Sequence, residues 1–161
     1  MKRFLPGAFF AWCHDSAISE WINDSVWAFA IIETLHILAL TVLLGAIITL
    51  DLRLLGIRSQ RQSTAELARE LAPYTLGALV LLIVTGIPMF MSQAIRYSQS
   101  VSFLVKMTLL VPTIAFHFTI YRSVTLASVS ERARFGRLAA SLSLVCWLGV
   151  ALAGRSIAFL P

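Results

Sequence analysis

Four apolar stretches, at about 26–50, 72–91, 102–121 and 138–159, are each long enough to cross ~30 Å of hydrocarbon at ~1.5 Å of helical rise per residue. Backbone polar groups in hydrocarbon must be satisfied within the chain, so stretches of this length are spanning helices. The rest of the composition agrees: of 161 residues 58% are hydrophobic and 13% charged, and the mean hydropathy is +0.84, outside the range of a soluble domain. The linkers are one to two dozen residues long, which favours antiparallel neighbours. The expected fold is all-α, an integral membrane four-helix up-and-down bundle over 26–161, preceded by an N-terminal segment, 1–25.

Lys and Arg collect in two linkers, Arg53, Arg58, Arg61 and Arg69 after the first span and Arg122, Arg132, Arg134 and Arg137 after the third. The positive-inside rule puts both in the cytoplasm and both termini outside a bacterial inner membrane. Lys2 and Arg3 argue weakly the other way. Those linkers account for the net charge of +5, so nothing points to nucleic acid. The start MKRFLPGAFFAWCHD has two cations and an apolar run, but Pro6 and Gly7 interrupt it and no small-x-small cleavage site follows. It reads as mature protein. Residues 8–24 interleave Phe9, Phe10, Trp12 and Trp21 with Asp15, Glu20 and Asp24, the pattern of an amphipathic helix lying in the outer interface. Ser63 with Glu66 forms a capping box for a short helix leading into the second span. Gly77, Gly86, Gly149 and Gly154 offer close helix approach. Asp51 and Arg53 are expected to anchor the first span by pairing with each other or with the end of the third, and Tyr74 and Tyr121 to belong to the inner aromatic belt.

Glu33, His36, Lys106, His117 and Arg155 interrupt the apolar stretches, and ionisable groups at such depth mark a functional site unless they merely pair between helices. Glu33 and His36 are spaced i, i+3 and share a face. Lys106 and His117, eleven residues apart, fall within about 20° of one face of the third span. Counted from the outer ends, Lys106 and Arg155 lie roughly 6 Å deep, Glu33 near ~11 Å, His36 near ~16 Å and His117 near ~22 Å. Deep imidazoles below shallow cations suit a haem b, with His36 and His117 as axial metal ligands, Lys106 and Arg155 on the propionates, and Glu33 orienting His36 or balancing the cations. If His117 sits too deep for the shared iron, the metal is five-coordinate. A structural ion pair and a metal-ion or transport site are the competing readings.

The segment FLVKMTLLVPTIAFH, with Lys106 and His117, resembles the third span of the small four-helix, haem-binding, J-type protoporphyrinogen oxidases of bacteria. ETLHILALTVLLGAI, with His36 and Gly45, is similar to their first span and to that of copper-resistance D-type membrane proteins. The resemblance covers two of four spans and implies a haem b near His36 with Lys106 near the tetrapyrrole carboxylates. Those oxidases continue the first span with a Pro-Arg element, open the fourth with Asn-Glu-Pro and close it with Lys-Pro-Phe. This chain has DLRLLG at 51–56 and GRSIAF at 154–159 instead, a pairing that resembles another family of small bacterial membrane proteins in the same broad group. The expected function is therefore a haem b-binding membrane protein in electron transfer, alone or anchoring a redox complex, with a redox protein or a quinone as partner and a homo-oligomer or a larger complex as the assembly. The alternatives are a tetrapyrrole oxidase and a copper-binding or copper-transfer protein using Met89, Met91, Cys13 and His14, soft ligands for Cu(I) expected at one end of the bundle.

Overall fold

The computed structural model describes residues 7–57, 63–126 and 129–157, with backbone alone for 126 and 129–134. Lys2, Arg3, Arg58, Arg61 and Phe159, and the side chains of Arg132 and Arg134, lie outside the described residues. Two short helices, α1 (Gly7–His14) and α2 (Ala17–Asp24), precede α3 (Ala28–Leu54) and α4 (Thr64–Ser92). After α5 (Ala94–Tyr97), the third span runs through α6 (Val101–Phe116), a π-helical segment (His117–Tyr121) and α7 (Arg122–Leu126). The fourth lies in α8 (Val129–Ser156). The spans Ala28–Leu54, Thr64–Ser92, Val101–Thr125 and Phe135–Ser156 are long and apolar enough to cross a bilayer. This is the all-α, four-helix membrane bundle expected. Three spans start or end several residues beyond the apolar cores, because polar caps and arginines extend the helices past them.

Those ends have local causes. The Ser63 hydroxyl accepts from the Glu66 amide at 3.1 Å while the Glu66 carboxylate accepts from the Ser63 amide at 2.9 Å, closing the expected capping box. No separate short helix follows it: α4 continues through Pro73 to Ser92. At the other side of the linker Gly56 takes φ +81, and its amide reaches the Arg53 carbonyl at 3.1 Å while that of Ile57 reaches Leu52 at 3.0 Å. That is a Schellman stop, in which the left-handed residue is a glycine because a Cβ would be strained there. The last residue of DLRLLG thus ends the first span.

The N-terminal segment is two helices rather than one. The chain breaks at Asp15–Ser16, where the Ser16 hydroxyl caps α2 by accepting from the Ser19 amide at 3.3 Å. The pieces pack on the bundle end: α2 lies on α4, and α1 on α5 and α4, with Phe10, Cys13 and Ile22 buried.

Packing within the bundle is uneven. Interfaces form between α3 and α4, between α6 and α8, and between α3 and α8. Among the described residues the remaining side, between the second and third spans, has no comparable interface. There α4 meets the third span at its two ends. Near the N-terminal helices, Phe90 of α4 stacks on Phe103 of α6 at 5.6 Å, with Tyr97 of α5 stacked 5.1 Å from Phe103. At the opposite, arginine-bearing end, α4 touches α7. The core between these ends is Leu43, Ile47, Ala78 and Trp147. Of the four glycines expected at helix contacts, Gly86, Gly149 and Gly154 face neighbouring side chains, whereas Gly77 faces open space.

Candidate functional site

The polar groups inside the bundle fall into two layers. The first lies toward the N-terminal helices and draws on all four spans. His36 of α3 turns to α4, where its Nδ1 meets the Thr85 Oγ1 at 2.8 Å. The Thr85 hydroxyl already donates its single proton to the Leu81 carbonyl at 2.6 Å, so it accepts from His36. That fixes the tautomer: Nδ1 carries the proton and Nε2 keeps a free lone pair. Beside it, a Cβ at Gly86 would stand 3.3 Å from the His36 Cε1, so glycine is what lets the ring lie flat against α4.

On the facing side, Lys106 of α6 packs its stem along Gly154 of α8, with Cε 3.6 Å and Nζ 3.9 Å from the position of a Cβ there. Counted from the same end of the bundle, Lys106 lies ~8 Å and His36 ~12 Å along their helices, and Gly154 precedes Arg155, which is exposed at that end of α8. Lys106 and Arg155 thus share a level. Glu33 is exposed on α3, near enough to Tyr97 for its charge to act on the phenol. Burial pushes the Tyr97 phenol above its ordinary range, against the pull of nearby Arg96, and Glu33 pushes it the same way. The hydrogen-bond partner that orients His36 is Thr85, not Glu33.

The second layer is at the arginine end. His117 opens the π-helical segment and stacks on Tyr121 at 5.1 Å, with Trp147 edge-on at 6.0 Å. The Tyr121 hydroxyl donates to Asp51 Oδ1 at 2.8 Å; Asp51 is fully buried and Tyr121 is 1% exposed. Asp51 does meet the end of the third span, as expected, but through a phenol. Tyr121 was expected in an aromatic belt, and instead the π-helical turn swings it inward. The His117 Nδ1 and the Trp147 Nε1 are buried with no hydrogen-bond partner among the described residues.

His36 and His117 are not brought together. Counted along their helices they differ in level by ~12–15 Å, and their rings turn to different neighbours. His36 and Lys106 do share a layer. Of the soft ligands, Cys13 packs with Phe10, Ala94, Phe90 and Met91, while His14 lines a polar pocket with Asn23, Gln93 and Arg96. Met89 is half-buried one turn away. Thr85 is the site residue that sequence reasoning missed; Gly86 was read as a close-approach glycine but not as the neighbour of His36. The signal was a threonine–glycine pair inside an apolar span, at the height where antiparallel packing puts His36.

The sequence profile of a family of unknown function, DUF6644, matches residues 9–160. The chain belongs to this family. No curated protein and no solved structure matches it. The DUF6644 match takes in both layers and all four spans, whereas the likeness to haem-binding oxidases rests on residues of two spans.

Proposed function

We propose that the protein binds one haem b in the layer of His36 and Lys106 and serves in electron transfer, alone or as the membrane anchor of a redox complex. The observation that carries this reading is the hydrogen bond from His36 Nδ1 to Thr85, which fixes the ring and presents the Nε2 lone pair. A ligating histidine needs its other ring nitrogen held in this way. The donor set also fits: His36, packed against Gly86, would offer an imidazole to the iron, and Lys106 and Arg155 would offer cations to the carboxylates. The side of the bundle without an interface between α4 and α6 gives a flat macrocycle a way in. Bound there, haem supplies a one-electron couple. Because His117 stands a layer away, His36 would be the one of the two histidines to hold the iron, the five-coordinate alternative among the expectations.

The test is a pyridine haemochrome assay on the full chain purified in detergent after expression with ample haem. The expected result is about one haem b per chain, with high-spin spectra. His36→Ala should abolish retention and His117→Ala should leave it. Haem-free protein, or retention that depends on His117 rather than His36, overturns the proposal. Lys106→Met should weaken retention without changing spin state, since a propionate left unpaired in a low dielectric costs several kcal/mol.

A second reading, copper(I) binding, is supported by the shared cluster of Cys13 and Met91. A colourless protein that takes up one Cu(I) and loses it on Cys13→Ser would favour it over haem.

A further inference from the structure

At the arginine end a groove of ≈ 320 Å³ lies between α3, α4 and the third span. Its floor and walls are apolar, with Ala46 and Ile47 of α3, Leu76 of α4 and Phe118 of the π-helical segment. Arg69 of α4 and Arg122 of α7 line the same groove, and so does His117. It lies beside the contact of α4 with α7, on the side of the bundle where the middles of the second and third spans do not pack.

Three features bear on what fills it. The two arginines are exposed and come from different helices, so their guanidiniums border one mouth at the end of the bundle where long basic side chains reach the headgroups. Glu66 accepts the Ser63 amide in the capping box and keeps its charge near Arg69, and Glu70 follows Arg69 in the chain, so Arg69 is offset in part and Arg122, from the other helix, brings the second cation to the groove. Deeper in, His117 has its Nδ1 buried without a partner among the described residues. A buried unpaired N–H is costlier than an unpaired lone pair, so the proton belongs on Nε2, and His117 is among the residues that line the groove. The groove therefore offers cations at its mouth, a hydrogen-bond donor about one and a half turns below and an apolar bed alongside.

We propose that the groove is a binding site for one anionic phospholipid of the leaflet at the arginine end. Its phosphate sits between Arg69 and Arg122, an ester oxygen accepts from His117, and one acyl chain lies along Ala46, Ile47, Leu76 and Phe118. Basic pockets between membrane helices recognise such headgroups by charge. The proposal does not rest on haem binding, since it involves the other layer.

The experiment uses the full chain purified in a neutral detergent. Retained lipids are extracted and quantified by mass spectrometry, and the delipidated protein is titrated with phosphatidylglycerol or phosphatidylcholine while its thermal unfolding is followed. About one anionic phospholipid per chain should remain, and phosphatidylglycerol should bind roughly 30-fold more tightly than phosphatidylcholine, from two basic contacts. Arg69→Gln with Arg122→Gln should abolish that preference. Leu76→Trp, which fills the groove from an exposed position, should displace the lipid while unfolding stays cooperative. The single arginine variants give the same reading if the double variant does not fold. Equal binding of the two lipids, full retention in the arginine variants, or a bound quinone in place of phospholipid overturns the proposal.

Discussion

At the residue scale, both layers depend on hydroxyls that tie an ionisable group to a neighbouring helix. Thr85→Val keeps the shape of the side chain but removes the acceptor from His36. An unsatisfied N–H costs ~1–3 kcal/mol, and loss of a ring-orienting partner lowers metal affinity about 10–100-fold. We expect a lower thermal midpoint in detergent and a haem content that falls steeply on dilution; an unchanged midpoint would mean that the His36–Thr85 bond carries no weight. Tyr121→Phe leaves the Asp51 carboxylate without its phenol, so it should destabilise the fold by ~1.5–3 kcal/mol. In a double-mutant cycle with Asp51→Asn the two effects should fail to add by a similar amount. Counting gave the order of depth of His36 and His117 but put them only ~6 Å apart, and the observed helix bounds widen that to ~12–15 Å, with α3 starting later and α6 earlier than their apolar stretches. Their partners were not legible in the sequence. Thr85 is 49 residues from His36 and Tyr121 is 70 from Asp51, and which faces meet depends on helix rotation, which counting does not give.

At the scale of elements, hydropathy revealed the spans because lipid leaves a chain little choice, and the capping box revealed where α4 begins. The break between α1 and α2 was missed because a continuous amphipathic pattern runs across Ser16. The π-helical segment has no sequence signature of its own, and it decides where His117 and Tyr121 point. Such segments commonly mark functional positions. The close contact of α3 with α4 at Gly86 can be tested directly. Gly86→Val puts a branched side chain where even a Cβ would lie 3.3 Å from the His36 ring, so the ring must move. Overpacking of this kind costs ~1–3 kcal/mol. Gly77→Ala, which faces open space, should be tolerated. Circular dichroism melts of the two variants check the contrast; equal effects would show that α3 and α4 approach each other differently.

At the scale of the whole molecule, eight of the thirteen Lys and Arg residues lie in the two linkers at one end, and we propose that this end faces the cytoplasm. Ser98 is buried, at 3% exposure, so a thiol there would report packing rather than side. Ala17 and Ile57 are exposed at opposite ends. With Cys13 and Cys146 replaced by alanine, Ala17→Cys should react with a membrane-impermeant maleimide in intact cells, and Ile57→Cys only after lysis. The reverse pattern would invert the bundle and put the layer of His36 and Lys106 in the inner leaflet. The one side of the bundle without an interface between spans has a mechanical consequence. Among the described residues the hairpin of α3 and α4 and the pair of α6 and α8 are joined along a seam between α3 and α8, with α4 touching α7 at the arginine end, as two covers are joined by a spine and held by a clasp. Opening such a molecule is a rotation about that seam, resisted by the stacked rings at one end and by the lateral pressure of the surrounding acyl chains. Exchange of whatever lies between the covers should therefore quicken in a thin or fluid bilayer without any span unfolding.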